Sequence, residues 1–196
     1  MILKRGYGVL KRVLRPFQNN VCLFLTFKCT LDCDYCTLKM YNGRMPCSST
    51  LTVEEWKDKI IKFPIKLREV VISGGEPTIY SGYTELINWL LDEGYFVVVN
   101  SNLSVFSGDI KPSYRFRIMS TYHHSANRIR WEKNYRAYAK KYRIDVDEIG
   151  QAELQYSRVK PYCKVDEARD YVAGFYYGPD GTLNTSFWEV LKRYEN

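Results

Sequence analysis

Short apolar runs and amphipathic stretches alternate along this chain. VCLFLTF (21–27) is apolar almost throughout, as in a strand covered on both faces. TVEEWKDKIIKF (52–63) places Val53, Trp56, Ile60 and Phe63 on one helical face. Thr52 stands at its N-cap position, Glu55 at the capping-box position, and Pro64 just beyond its end. REVVIS (68–73) predicts a second strand, and YTELINWLLDEG (83–94) a second helix with Gly94 as its C-cap. YFVVVN (95–100) predicts a third strand and YRFRIMS (114–120) a fourth. Ser125 caps the next predicted helix, which runs to about Tyr142. Its Trp131, Tyr135, Tyr138 and Tyr142 recur at spacings of four, three and four, an aromatic face suited to core packing. AELQYSRV (152–159) is a candidate fifth strand. YVAGFYY (171–177), the turn GPDG (178–181) and TLNTSFW (182–188) predict a strand with a hairpin partner, and a short helix ends the chain.

Strands alternating with helices point to a parallel α/β sheet. A closed eight-stranded barrel takes about 250 residues, and this chain has 196. The expected fold is therefore a partial, open (β/α)6 barrel of parallel strands with a short C-terminal β-hairpin. Residues 1–17 read as a basic N-terminal extension and 18–196 as a single domain. In such sheets the chemistry gathers at the C-terminal ends of the strands. Four unusual segments fall there: a cysteine run after the first strand, SGGEPT (73–78) after the second, NSN (100–102) after the third and STYHH (120–124) after the fourth.

Composition adds that apolar residues make up 45 %, enough for a real core, and charged residues 26 %. The longest apolar runs, 21–25 and 95–99, are far short of the roughly twenty residues of a spanning helix, and no signal peptide is evident. The expected location is the cytoplasm, where thiols stay reduced and clustered cysteines read first as metal ligands or catalysts. The net charge of +7 is uneven. Lys4, Arg5, Lys11, Arg12 and Arg15 precede the first acid, Asp32. Residues 128–143 hold seven bases against Glu132 alone. Such patches suit an acidic partner, whether nucleic acid, a phosphorylated substrate or a membrane surface, or else are solvated surface.

The cysteines carry the most specific signal. CTLDCDYC (29–36) places Cys29, Cys33 and Cys36 at spacings of four and three. Three readings compete. A structural zinc site needs four closed ligands, and Cys47 or Cys22 would have to complete it. A thiol–disulfide pair in CDYC leaves a third thiol unexplained. An iron–sulfur cluster held by three thiolates leaves one iron open to another ligand.

The run Cys-x3-Cys-x2-Cys after the first strand, followed by GGEP (74–77) after the second, resembles the motif pair of the radical S-adenosylmethionine (radical SAM) superfamily. The resemblance runs from about Val21 to His124. It implies that Cys29, Cys33 and Cys36 ligate a [4Fe–4S] cluster and that S-adenosylmethionine chelates the remaining iron. Reductive cleavage would yield a 5′-deoxyadenosyl radical that abstracts hydrogen from a substrate, with electrons from a flavodoxin- or ferredoxin-like donor. It places Tyr35 near adenine, and Gly74, Gly75, Glu76, Pro77, Ser101, Asn102 and Ser120 at S-adenosylmethionine. Glycines there allow positive φ and close backbone approach, Glu76 orients the loop or contacts the ligand, and Pro77 stiffens the turn. His123, one of two adjacent histidines, could meet the ligand or the substrate. Cys163 or Tyr156 could donate hydrogen to a substrate radical, and Arg158 and Lys160 could bind an acidic group. Cys22 reads as a buried small hydrophobe. The substrate expected is a small molecule or a polymer side group. A glycyl-radical-enzyme activase is the alternative, and a zinc-binding interaction or nucleic-acid module the alternative of another class.

Overall fold

The computed structural model describes residues 19–33, 36, 50–107, 109–123, 126–148, 175–184 and 189. Among these residues one sheet holds seven strands: β1 (Asn20–Thr26), β2 (Glu69–Gly74), β3 (Phe96–Ser101), β4 (Phe116–Tyr122), β5 (Arg143–Glu148), β6 (Phe175–Tyr177) and β7 (Leu183–Asn184). Among the described residues three helices, α1 (Val53–Ile61), α2 (Tyr83–Asp92) and α3 (Arg128–Ala139), join them, together with a 3-10 turn at Pro77–Ile79. The spatial order is β5-β4-β3-β2-β1-β6-β7. Neighbours from β5 across to β6 pair in parallel, and β7 returns antiparallel to β6. The outermost strands, β5 and β7, do not pair with each other, so the sheet is open, as the sequence predicts.

Alternation along each strand builds the two faces. Val21, Leu23 and Leu25 of β1, Val70 and Ile72 of β2, Val97 and Val99 of β3, and Phe116 and Ile118 of β4 join one core. Trp56 and Ile60 of α1 and Leu86, Ile87 and Leu90 of α2 complete it. Cys22, buried at 2 % exposure as expected of a small hydrophobe, lies on the opposite face in register with Val71 and Tyr176. There Phe24 stacks on Tyr176, with ring centroids 6.2 Å apart.

The local signals that set the helix ends are visible. Thr52 Oγ1 accepts the Glu55 N–H at 3.3 Å, and Glu55 Oε2 accepts the Thr52 N–H at 2.7 Å. Gly94 follows α2 at φ +87°, the left-handed conformation its lack of Cβ permits. The aromatic stripe of α3 is core packing: Tyr138 is fully buried, and Trp131 stacks on Tyr135 at 5.4 Å.

Two expectations change. Asn127, not Ser125, caps α3 by accepting the Arg130 N–H at 3.0 Å, and α3 ends at Ala139. Ser125 lies outside the described residues, as does the candidate strand at 152–159. The fifth strand described is Arg143–Glu148, whose alternating charges mark it as an edge. The hairpin forms, and β6 adds beside β1, which makes β1 an interior strand.

Candidate active site at the C-terminal ends of the strands

The chain leaves β1 at Thr26 and passes through Phe27 and Lys28 to Cys29. The loop after β2 docks onto this segment. Gly75 N–H donates to Thr26 O at 2.8 Å, and Glu76 N–H donates to Lys28 O at 2.9 Å. Both glycines are required by that docking. Gly74 has φ +135°, and a Cβ there would meet Thr26 O at 2.1 Å. A Cβ on Gly75 would meet Lys28 O at 2.2 Å. The glycines thus let one motif loop approach the other, a more specific role than a flexible turn.

Glu76 is fully buried and ties this pair of loops to the end of β3. Its Oε1 accepts Thr78 Oγ1 at 2.6 Å, Ser101 Oγ at 2.9 Å and the Thr78 N–H at 3.1 Å. Its Oε2 accepts the Asn102 N–H at 2.7 Å. Burial raises the Glu76 carboxyl above its ordinary value, and the four donors pull the other way. Of the two roles open to Glu76 in the sequence, orienting the loop is the one these bonds perform. Pro77, at the first position of the 3-10 turn, is buried. Ser101 is also engaged within the protein: it donates to Glu76 and accepts the Leu103 N–H at 3.0 Å.

Asn102 reaches the cysteine loop. Its Nδ2 lies 3.5 Å from Cys29 Sγ and 3.5 Å from Thr30 Oγ1. Its Oδ1 accepts the Ser104 N–H at 2.8 Å, and Ser104 bonds in turn to Thr30. This segment turns sharply at Leu103, which holds φ +53° while fully buried. Helix α3 holds it there. Asn134 Nδ2 donates to Leu103 O at 2.6 Å, Tyr138 Oη donates to Val105 O at 3.3 Å, and Ser107 N–H donates to Tyr138 Oη at 2.9 Å. Thr26, Lys28, Thr78, Asn134 and Tyr138 were not singled out from sequence for the site. Thr78 alone carried a signal there, as the hydroxyl closing SGGEPT.

The thiols follow. Cys33 is buried, Cys29 and Cys36 are half-buried, and none of the three is in a disulfide. Cys36 N–H closes a turn onto Cys33 O at 3.1 Å. Cys29 Sγ accepts the Leu31 N–H at 3.4 Å as well as Asn102. Burial raises the Cys29 thiol most; the Leu31 N–H lowers it, and Glu76, Cys36 and Cys33 raise it further. The ionisable groups that act on Cys29 are therefore all ones that become negative when they ionise. A cationic occupant relieves that repulsion, and N–H donors on the sulfur suit a thiolate metal ligand. These residues fit an iron–sulfur cluster with a positively charged sulfonium beside it. Among the described residues no three His, Cys, Asp or Glu side chains converge as on one ion. Cluster thiolates each bind a different iron and do not need to.

Ser120 lies in register with Ser101, fully buried, its hydroxyl without a partner among the described residues. His123 follows β4, half-buried, and its carbonyl accepts the Ala126 N–H at 2.8 Å. Tyr35, Cys47, His124, Tyr156, Arg158, Lys160 and Cys163 lie outside the described residues.

Comparison with known proteins bears on the same segments. The sequence pattern of the radical SAM superfamily matches residues 23–149. A protein of Methanocaldococcus jannaschii, provisionally named a glycyl-radical enzyme activating enzyme, is 34 % identical over 102 residues, which are 51 % of this chain and 38 % of that protein. The 7-carboxy-7-deazaguanine synthase of Haemophilus influenzae is 26 % identical over 167 residues, 83 % of this chain and 69 % of the synthase. The chain thus spans about two-fifths of the archaeal relative's length. In structure, Streptococcus suis SuiB bound to S-adenosylmethionine superposes with a TM-score of 0.51 at 12 % identity, over 93 % of this chain and 64 % of SuiB. That likeness extends to the fold.

Proposed function

Because the chain belongs to the radical SAM superfamily, we propose that it holds a [4Fe–4S] cluster on Cys29, Cys33 and Cys36 and cleaves S-adenosylmethionine reductively. When bound, the cluster and S-adenosylmethionine together supply a radical able to take a hydrogen atom from an unactivated carbon. The residues of the chain bind, orient and exclude water. The backbone at 74–76 receives the methionine end of the ligand, close to the thiols because Gly75 and Glu76 bond directly to the segment before Cys29. That docking of one motif loop on the other is the observation that carries the reading. Glu76 and Ser101 act as positioning residues, setting Asn102 against Cys29. Tyr35 is the proposed adenine neighbour, and His123, at the end of β4, the proposed contact to ligand or substrate. Tyr156 and Cys163 are proposed as hydrogen donors to a substrate radical.

The substrate is a small molecule or a polymer side group, and a flavodoxin- or ferredoxin-like protein in the cytoplasm supplies the electron. The match to the synthase extends over 83 % of this chain and supports a small substrate. The higher identity to the activating enzyme, 34 % over 102 residues, favours a second reading as an activase of a partner protein. Anaerobic reconstitution with iron and sulfide, followed by reductant and S-adenosylmethionine, tests the proposal. The expected product is 5′-deoxyadenosine. Protein with a full cluster that forms none would overturn it.

A further inference from the structure

The opposite end of the sheet carries a concave feature. Where β1 to β5 begin, a cavity of about 560 Å³ opens between the strand ends. Four arginines line it, Arg68, Arg115, Arg117 and Arg143, with Phe96 and Tyr114. They come from separate places: Arg68 leads into β2, Arg115 into β4, Arg117 lies within β4 and Arg143 opens β5. One acid, Glu69, shares the lining.

The charges are poorly neutralised. Arg117 and Arg143 are direct partners across the β4–β5 pair, on the same face of the sheet. Like charges opposite each other destabilise a strand pair. Both turn to one carboxylate, Asp145, at 3.7 Å and 3.6 Å, too far for a good hydrogen bond. Arg68 and Arg115 have no ion pair among the described residues. Their guanidinium carbons sit over the Phe96 ring at 5.4 Å and the Tyr114 ring at 5.2 Å. Arg115 Nε also donates to Tyr114 Oη at 3.1 Å, and these ring contacts orient each guanidinium while leaving its remaining N–H groups to other partners.

From this we infer that the cavity is a binding site for a phosphate-bearing small molecule, separate from the cysteine site. Guanidiniums match phosphate oxygens in bidentate pairs, and a multiply charged anion relieves the repulsion between Arg117 and Arg143. The volume is that of a small-molecule pocket. Arginines converging from several strands on one hollow suit a compact ligand, whereas a nucleic-acid backbone calls for a stripe of charge along a surface. Arg117 and the end of β4 at Tyr122 are five residues apart, about 17 Å of strand. A compact ligand here therefore does not reach the cysteine loop.

Calorimetric titration of the full chain with inorganic tripolyphosphate tests the site. One equivalent is expected to bind, with affinity falling steeply between low and moderate salt. Arg117→Gln and Arg68→Gln are each expected to weaken binding about tenfold or more, while Arg130→Gln, an exposed base at the start of α3, leaves it within twofold. Arg68 is solvent-exposed, so its substitution tests the site even if Arg117→Gln impairs folding. No binding at millimolar tripolyphosphate overturns the site. So does an equal loss in Arg130→Gln, or binding of a single-stranded oligonucleotide without binding of tripolyphosphate.

Discussion

The two ends of this sheet handle charge in opposite ways. At the C-terminal ends, Glu76 is fully buried, and its carboxylate accepts four hydrogen bonds of 2.6–3.1 Å from Thr78, Ser101 and Asn102. At the N-terminal ends, Arg117 and Arg143 keep side-chain exposures of 40 % and 70 % and share one acid at more than 3.5 Å. A saturated, buried network fixes atoms in place, because each donor would lose a partner if it moved. An undersatisfied, wetted cluster attracts charge without fixing geometry. The first arrangement suits placing a cofactor against thiols. The second suits capturing an anion.

The sharpest way to separate the two ends is Cys33→Ala. It should abolish cluster retention and 5′-deoxyadenosine formation, a loss beyond the 10–100-fold that outer-shell changes cause. Tripolyphosphate binding should stay within twofold. Iron and sulfide analysis beside calorimetry checks both halves, and a parallel loss of phosphate binding would mean that the ends are not independent.

Glu76→Ala attacks the buried network itself. It leaves the Thr78 and Asn102 N–H groups without an acceptor, at about 1–3 kcal/mol each, so a total loss of about 3 kcal/mol is expected in denaturant unfolding. Glu76→Gln should recover only part of it, since its amide turns a donor toward donors. Gly75→Ala comes next. Its Cβ would meet Lys28 O at 2.2 Å and force the two motif loops apart. About 2 kcal/mol of stability should be lost, with a fall in 5′-deoxyadenosine yield per cluster. Full retention of both would show that the docking is dispensable.

The smallest effect serves as a reference remote from both ends. Thr52→Ala removes the α1 cap and should cost about 1 kcal/mol with cluster content unchanged. It should also alter the acid side of the stability curve. Bonds from the Thr52 N–H and hydroxyl hold the Glu55 carboxyl below its ordinary 4.5. A depressed carboxyl stabilises the fold above its unfolded value and loses that contribution as pH falls through its folded value. Thr52→Ala should flatten this loss, which thermal unfolding between pH 3 and 6 would register.

The elements that announce themselves in the sequence are those whose apolar pattern matches their burial. Strands β1 to β4 and helices α1 and α2 fall within about two residues of their expected bounds, because each presents a continuous or one-sided apolar set to one core. Strand β5 hid because an edge strand needs no such set: Arg143 and Asp145 alternate with Ile144 and Val146. The two motifs were legible, but the role of the glycines was not. Only the structure brings Lys28 O against Gly75. The engagement of Ser101 with Glu76 depends on how loops from β2 and β3 meet, which no local pattern encodes. The arginine cavity was invisible for the same reason, its members being scattered from 68 to 143. The basic residues that stood out in sequence were runs, and Arg143 alone belongs to both.

The place of β6 has a consequence for how the chain is made. Strand β1 pairs with β2 on one side and with Phe175–Tyr177 on the other. Residues 20–26 leave the ribosome before their second partner, which emerges some 150 residues later, about 8–30 s at ordinary synthesis rates. Until then, among the described strands, one side of the strand that leads into the cysteine loop has no neighbour. An apolar strand with an open edge invites pairing with other chains. Cluster insertion before β6 arrives would load a site whose supporting strand is still half-paired. The sheet therefore sets a birth order, with late residues completing the support for early cysteines.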